Sequence, residues 1–225
     1  MSDLSALRHN TEVIADILII DDHPTLRRGL IQLLELEDDL KVVGEASGGR
    51  QGVELAASLD PDLILVDLNM PEMDGFETIA ALRDAGVSSR IIVFSVSEDR
   101  EDVVKALKTG ADGYLLKDME PEQLVENIRS AANGKMAISH KLTEALAMAL
   151  QQRDSGSDRP AYDSLTKREK QVLKLIAGGL SNKMIARKLD ITEGTVKVHV
   201  KRLLHKLHMR SRVEAAVWLT EQKGN

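Results

Sequence analysis

Residues 63–75 read LILVDLNMPEMDG, an apolar run that ends in an aspartate and continues into a turn. Each residue from 63 to 66 is apolar, which is typical of a strand buried on both faces of a parallel sheet. Pro71 and Gly75 suit the turn that must follow this strand. The stretch therefore predicts a central strand with an acidic side chain, Asp67, at its carboxyl end.

The same rhythm continues on both sides of this stretch, where apolar runs alternate with amphipathic helical patterns. The predicted strands are 16–21, 40–46, 62–68, 90–96 and 113–117, and the predicted helices are 24–37, 50–59, 74–86, 98–109 and 121–133. Five strands that alternate with five helices predict an α/β fold, in which helices cover both faces of a parallel sheet.

Polar side chains stand where four of the predicted strands end. They are Asp21, Asp22, Asp67, Ser95 and Lys117. The carboxyl ends of parallel strands meet at one edge of a sheet, where ligand sites form. Crowded carboxylates repel each other unless a cation neutralises them, and oxygen ligands with room for water suit Mg²⁺. The sequence thus predicts a magnesium site at this edge.

These segments resemble the receiver domain of bacterial response regulators. The motifs that carry the resemblance are IIDDHP, LILVDLNMPEMDG, FSVS and ADGYLLK. It implies a flavodoxin-like (βα)5 fold and transfer of a phosphoryl group from a sensor histidine kinase to an aspartate. The implied roles are phosphoacceptor for Asp67, Mg²⁺ binding for Asp22, Asp67 and the backbone carbonyl of Asn69, indirect support for Asp21, phosphoryl contacts for Lys117 and Ser95, and a switch for Tyr114. Plain core packing is the alternative for Tyr114.

Charge is distributed unevenly along the 225 residues, whose net charge is −6. Residues 159–225 contain 15 Lys and Arg against 6 Asp and Glu, a net of +9, whereas residues 1–158 have a net of −15. Only the C-terminal part is therefore expected to bind a polyanion. The absence of cysteine excludes disulfides and Cys-based metal sites. Without a membrane-length apolar run or a signal peptide, we expect a cytoplasmic protein with no membrane partner.

The polar segment 151–163, which contains Gly, Ser and Pro, predicts a linker between two domains. We expect a mobile leader over 1–15, a receiver domain over 16–135, a linker helix (near 139–151) with a flexible linker over 136–163, and a helical domain over 164–225. Thr166 with Glu169 and Ser211 with Glu214 have the spacing of capping boxes. The last segment therefore predicts a small all-α bundle of four helices.

Residues 194–207, GTVKVHVKRLLHKL, indicate what kind of helical domain this is. Their first half alternates apolar and polar residues as a strand would, but helical spacing places Val196, Val200 and three leucines in one apolar stripe. We therefore predict a helix. Val198 falls roughly 200° away from Val196, among cationic residues. Cations that hold phosphates, beside a side chain that can contact a thymine methyl, are suited to reading DNA.

With the preceding SNKMIARKLD segment, this helix resembles the helix-turn-helix domain of the LuxR/FixJ group. The candidate contacts with double-stranded DNA are Lys197, Val198, Lys201, Arg202, His205, Lys183, Arg187 and Lys188. The resemblance also implies that the last helix forms the dimer surface on DNA. The candidate residues there are Val213, Val217 and Trp218, which could equally belong to the core.

The two domains in this order are similar to nitrate- and nitrite-responding members of the NarL/FixJ (LuxR-type) family. The similarity implies a phosphorylation-activated transcription regulator and not an enzyme. From the opposite charges we expect the unphosphorylated receiver to cover the recognition helix, and phosphorylation of Asp67 to release it for dimeric binding to inverted repeats. Two alternatives remain open. One is a Mg²⁺-dependent phosphatase with an aspartyl-phosphate intermediate, which would want an acid where Asn69 stands, and the other is a regulator that works without phosphorylation.

Overall fold

The computed structural model describes residues 15–135 and 162–224. We call residues 15–135 the α/β domain and residues 162–224 the helical domain. The linker helix expected near 139–151 lies outside the described residues, as do residues 1–14 of the expected leader. In the part of the chain that the structure describes, no helix is both long enough and apolar enough to cross a membrane.

The α/β domain contains five strands and five helices in strict alternation. The strands are β1 Ala15–Ile20, β2 Leu40–Ala46, β3 Leu63–Val66, β4 Arg90–Ser95 and β5 Gly113–Leu116. The helices are α1 Pro24–Leu34, α2 Gly49–Leu59, α3 Gly75–Asp84, α4 Arg100–Thr109 and α5 Pro121–Ala132. The predicted order is confirmed, and the ends of the elements differ from the prediction by three residues at most.

All strands are parallel, in the order β2-β1-β3-β4-β5. Helices α2, α3 and α4 contribute Ala56, Ile79 and Val103 to the apolar layer on one face of the sheet. On the other face, α1 and α5 contribute Leu34 and Ile128. Because both faces are covered, every residue of β3 is buried, which explains the unbroken apolar run in the sequence.

The helical domain begins with a 3₁₀ turn, Tyr162–Ser164, and continues with four α-helices. They are α6 Lys167–Ala177, α7 Asn182–Leu189, α8 Glu193–Lys206 and α9 Arg212–Gly224. The predicted capping box of α6 is present, since the Thr166 hydroxyl accepts from the Glu169 N–H and the Glu169 carboxylate accepts from the Thr166 N–H. At the start of α9, the Ser211 hydroxyl accepts from the Glu214 N–H, but the Glu214 carboxylate binds the N–H of Arg210.

The valine-rich stretch is helical, as predicted, and forms most of α8. Val196, Val200 and Leu203 are fully buried in the core of the helical domain. Val198 lies on the other face and is 47 % exposed. The apparent strand alternation therefore arises because one valine lies on the outer face of an otherwise amphipathic helix.

A buried ion pair ties the end of α3 to the start of β5. Arg83 Nη2 donates to Asp112 Oδ2 at 2.7 Å, and Asp112 is completely buried. The remaining guanidinium N–H groups of Arg83 donate to the backbone carbonyls of Val87, Ser89 and Gly110. Since Asp112 Oδ2 also accepts from the N–H of Ile91, the pair connects three parts of the domain.

Replacing Arg83 by Met will lower the free energy of unfolding of the α/β domain by about 3–5 kcal/mol, because it leaves the Asp112 carboxylate buried without its ion-pair partner. Urea denaturation followed by circular dichroism measures the loss. Arg28 on α1 is exposed, and Arg28→Met should change the free energy by less than about 0.5 kcal/mol. Equal losses in the two variants would contradict this account of the ion pair.

Candidate phosphoacceptor site and DNA-binding helix

Side chains that follow three strands meet at the carboxyl edge of the sheet. Asp21 follows β1, Asp67 follows β3, and Lys117 follows β5. The Lys117 ammonium lies 2.8 Å from Asp21 Oδ2 and 2.9 Å from Asp67 Oδ2. All three side chains are buried, so two carboxylates share one cation in surroundings that screen charge weakly.

The surroundings of Asp67 disfavour the ionised form of its carboxyl. Burial raises the pKa of its carboxyl above the usual value, and the negative charge of Asp21 acts in the same direction. Lys117 and the backbone N–H of Asn69 act in the opposite direction on this pKa. No hydrogen bond of good geometry reaches Asp67 Oδ1 from the described residues. A buried carboxylate oxygen in this condition is a position that a cation would satisfy.

The donor set at this edge fits a divalent cation. Asp21, Asp22, His23 and Asp67 each offer a ligand atom, and these atoms lie within 4.8 Å of one another. Three carboxylates provide the hard oxygen ligands that Mg²⁺ prefers. The exposed Asn69 lies in the loop that follows Asp67. The predicted acids are therefore brought together, and the structure adds His23 to them.

A lone histidine beside two aspartates is expected to pack or cap rather than to bind a metal, but the structure ties His23 closely to the acids. Its Nδ1 lies 2.7 Å from Asp22 Oδ1, and its backbone N–H donates to Asp21 Oδ1 at 2.7 Å. The side chain of Asp21 is thus held by Lys117 from one side and by the backbone of the following loop from the other. In the sequence, only its position next to two aspartates indicates that His23 lies at this site.

Close approach of the backbone shapes the loop after Asp67. The first residue of α3, Gly75, packs against the carbonyl oxygen of Asp67, where a Cβ atom would clash. The N–H of Gly75 donates to the carbonyl oxygen of Leu68 at 2.9 Å. Glycine is therefore required in LILVDLNMPEMDG because the loop folds back onto the strand that it follows.

Ser95 and Tyr114 belong to one chain of hydrogen bonds behind the acids. The buried Ser95 hydroxyl accepts from the N–H of Ser97 at 3.2 Å. The Tyr114 ring is fully buried, and its hydroxyl donates to the carbonyl oxygen of Ser97 at 3.0 Å. The Ser97 hydroxyl in turn donates to Asp102 Oδ2 on α4 at 2.6 Å. Tyr114 therefore packs in the core and also joins β5 to the loop between β4 and α4, which Ser97 connects to α4.

The α/β domain covers part of the recognition helix α8. Lys197 Nζ lies 3.0 Å from Asp60 Oδ2 and donates to the backbone carbonyl oxygen of Asp60 at 2.7 Å. The same ammonium is 3.8 Å from Asp62 Oδ1. One turn further along α8, Lys201 packs on Gly86, just beyond the end of α3. Because Lys197 is only 14 % exposed, DNA cannot reach it in this arrangement.

The other predicted DNA contacts and the dimer residues are placed as follows. Arg187, Lys188, Arg202 and His205 are exposed, and Lys183 is half-buried. Val213 and Val217 on α9 are half-buried. Trp218 packs in the core of the helical domain, with its ring 6.2 Å from that of Tyr162. Trp218 thus takes the core position that the sequence had left as an alternative.

Backbone contacts and buried arginines complete the surface between the domains. Gly134 after α5 packs on the carbonyl oxygen of Gly179 after α6. Arg90 donates to the carbonyl oxygens of Gly134 and Lys135, and Arg212 donates to Asn182 Oδ1 at 3.0 Å. No local sequence pattern indicates that these residues lie at the interface, because each contacts groups far away along the chain. Only the opposite charges of the two parts indicated that the domains would meet.

Replacing Lys117 by Met will raise the pKa of the Asp67 carboxyl further, because the cation that stabilises its charged form is lost. A carbon-13 NMR titration of the side-chain carboxyl, without Mg²⁺, measures the change. Lys41 on β2 is exposed, and Lys41→Met serves as the control of equal charge. An Asp67 titration that is the same in both variants would show that Lys117 does not govern this carboxyl.

Comparisons with known proteins agree with this geometry. The model of the response regulator receiver domain matches residues 17–129, and that of the luxR family of bacterial regulatory proteins matches residues 163–219. The chain is 59 % identical over 209 residues to the nitrate/nitrite response regulator protein NarL of Escherichia coli K12, covering 93 % of this chain and 96 % of the relative. It is 46 % identical over 208 residues to NarP of the same organism, covering 92 % and 95 %.

A solved structure supports the assignment of the fold. It is that of a two-component response regulator of the LuxR family from Aurantimonas sp. SI85-9A1, with 30 % sequence identity and a TM-score of 0.56. The likeness covers 60 % of this chain and 96 % of that one. The relatives named here are response regulators, so the comparisons do not support the phosphatase alternative. The chain belongs to the NarL/FixJ (LuxR-type) family of two-component response regulators, in which a receiver domain is followed by a LuxR-type DNA-binding domain.

Proposed function

We propose that this protein is a transcription regulator in which phosphorylation of Asp67 releases the DNA-binding domain from the receiver, so that it binds DNA as a dimer. The observation that carries the proposal is the contact of Lys197 with Asp60 and Asp62, which removes a DNA-binding cation from reach. The charged groups of the interface join the two domains in a way that excludes DNA. Any change that weakens this interface would therefore promote DNA binding.

Asp67 is suited to act as the nucleophile for phosphoryl transfer from a sensor histidine kinase. A carboxylate oxygen of Asp67 would attack phosphorus while the P–N bond of the phosphohistidine breaks, and the electron pair of that bond would stay on the imidazole nitrogen. Lys117 helps to keep Asp67 ionised and lies where it can also neutralise the incoming phosphoryl oxygens. The residues position the reactants and stabilise charge, which is most of what phosphoryl transfer requires.

Mg²⁺ would be held by Asp22, Asp67 and the backbone carbonyl of Asn69, with Asp21 supporting the site through hydrogen bonds. When bound, the ion would offset the negative charge that the phosphoryl group adds to the acids. The unsatisfied Oδ1 of Asp67 supports this assignment. In this scheme the receiver promotes only the phosphorylation of its own aspartate and the slow loss of that group, so the protein is no enzyme in the ordinary sense.

The hydrogen bonds of Ser95 and Tyr114 provide a way for the phosphoryl group to change the surface of the receiver. If the Ser95 hydroxyl turns towards a phosphoryl oxygen, it gives up the N–H of Ser97. Ser97 also binds Tyr114 and Asp102, so the loop before α4 would have to rearrange. We assign the switch role of Tyr114 to this exchange of hydrogen bonds, since its ring is already buried here.

Release would expose a complete DNA-binding surface. Lys197, Val198 and Lys201 would face the major groove, while the exposed Arg202 and His205 would lie beside it. Lys183, Arg187 and Lys188 on α7 would contact phosphates. Dimerisation through the half-buried Val213 and Val217 would match the two-fold symmetry of an inverted repeat.

The signal is proposed from the relatives. Both named E. coli relatives are nitrate/nitrite response regulators, and their similarity to this chain extends over both domains. We infer that this protein responds to nitrate or nitrite through a cognate sensor kinase.

The full-length protein, incubated with Mg²⁺ and a small-molecule phosphodonor, should gain one phosphoryl group, because Asp67 lies beside Lys117 with its Oδ1 not hydrogen-bonded to the described residues, whereas both oxygens of Asp21 have partners. Intact-mass spectrometry measures the uptake. Asp67→Asn should gain none, and Asp38→Asn, which changes an exposed acid, should gain as much as the parent protein. Undiminished uptake by Asp67→Asn would refute the assignment of the phosphoacceptor.

The isolated fragment 159–225 should bind operator DNA without phosphorylation, since it lacks the receiver that covers Lys197. Quantitative footprinting should show tighter binding by the fragment than by unphosphorylated full-length protein, and phosphorylation should close most of the gap. The fragment contains the whole apolar core of the helical domain. If the correctly folded fragment binds no better than the unphosphorylated full-length protein, covering of α8 does not control DNA binding.

A further inference from the structure

Two carboxyl groups face each other across the interface between the domains. Glu193 is the first residue of α8, and it lines the same narrow gap between the domains as Asp62, which immediately precedes β3. Two ionised carboxylates cannot form a hydrogen bond with each other, because neither has a proton to donate. A proton on Glu193 would remove the repulsion between the two groups and supply a donor.

The gap in which the two carboxyl groups lie has little room for water. The gap around the pair has a volume of about 10 Å³, which leaves room for a single water molecule at most. Glu193 Oε1 is buried, and no hydrogen bond of good geometry reaches it from a donor in the described residues. A negative charge on Glu193 Oε1 would thus be poorly solvated and would have no direct donor among the described residues.

Cations surround the pair, but several are engaged elsewhere. The charged groups that face it are Lys183, Lys197, Arg90 and Arg212. Lys197 donates to the carbonyl oxygen of Asp60, and Arg90 donates to backbone carbonyls after α5. Arg212 donates to Asn182. Lys197 also lies 3.8 Å from Asp62 Oδ1 and so partly neutralises Asp62, but Glu193 Oε1 remains without a hydrogen-bond donor among the described residues.

The titration of Glu193 follows from this enclosure. Burial raises the pKa of its carboxyl to about 7, the hydrogen bond to Asp62 and the charge of Asp62 act in the same direction, and Lys197 and Lys183 oppose them. Once the domains separate, the side chain would meet water, and its pKa would return to roughly the ordinary glutamate value of about 4.3. The closed arrangement therefore binds a proton that the open one releases.

We propose that Glu193 and Asp62 form a proton-dependent latch, which holds the DNA-binding domain closed while Glu193 is protonated and loosens when that proton is lost. An acid whose pKa is raised in the closed form favours that form at low pH. As the pH rises from about 6 to about 8, the ratio of closed to open molecules should fall about tenfold, and above that range it should level off. The latch depends on the closed arrangement and does not require phosphorylation.

Interdomain distance measured by fluorescence energy transfer in the unphosphorylated full-length protein tests the latch. The sequence contains no cysteine, so dyes can be attached to cysteines introduced at Arg50 on α2 and Lys174 on α6, both exposed. Without DNA or a phosphodonor, transfer efficiency should change between about pH 6 and about pH 8. Glu193→Gln carries a neutral amide that can donate to Asp62 at any pH, so it should remain closed throughout.

Two further variants make the result decisive. Asp163→Asn changes an acid of the same domain whose side chain is 96 % exposed, and it should titrate like the parent protein. Asp62→Asn should show a smaller pH response, and this variant decides the matter if Glu193→Gln fails to fold. A parent protein without a pH response would overturn the latch, and so would variants at positions 193 and 62 that titrate as the parent does. Neither result would affect the phosphorylation of Asp67, because the assay contains no phosphoryl group.

Discussion

The position of one ammonium group, Lys117 Nζ, between the carboxylates of Asp21 and Asp67 is the interaction on which the site depends. The sheet order makes it possible. β1 and β3 are neighbours, so their terminal acids lie side by side, and Lys117 reaches them from the edge strand β5 past the end of β4. A parallel sheet with this strand order therefore places negative charges close together where one cation can neutralise them.

The interface with the DNA-binding domain uses the opposite ends of the same elements. Asp67 follows β3 and Asp62 precedes it; Ser95 ends β4 and Arg90 begins it. Helix α3 starts at Gly75, which packs against the backbone of Asp67. Gly86, just beyond the end of α3, packs against Lys201 of α8. Three rigid elements thus have one end near Asp67, the proposed phosphoacceptor, and the other end near α8, the proposed recognition helix. If the loops around Asp67 move one of these elements, its other end moves at the interface as well.

The sequence predicted the fold and the acidic site well because both follow from local patterns. Unbroken apolar runs such as 63–66 identify buried strands, and parallel topology brings their polar ends together. The helix α8 was predictable because the helical period accounts for Leu203 as well as Val196. The interface was not predictable in detail, since Lys197 contacts Asp60 at a separation of 137 residues and no periodicity records such a pairing. The environment of Glu193 is a consequence of that pairing and was missed with it.

The polar character of the interface is what allows it to open. Asp60 is 64 % exposed, and ion pairs with such exposure contribute at most about 1 kcal/mol each. Moving a two-state equilibrium from almost closed to almost open needs about 5.5 kcal/mol in all. The free energy of a few such contacts is small enough for one phosphoryl group to overcome, whereas that of a large apolar interface is not. In the proposed function Lys197 cannot bind Asp60 and DNA at once, so a loss of interface stability would appear as a gain in DNA binding.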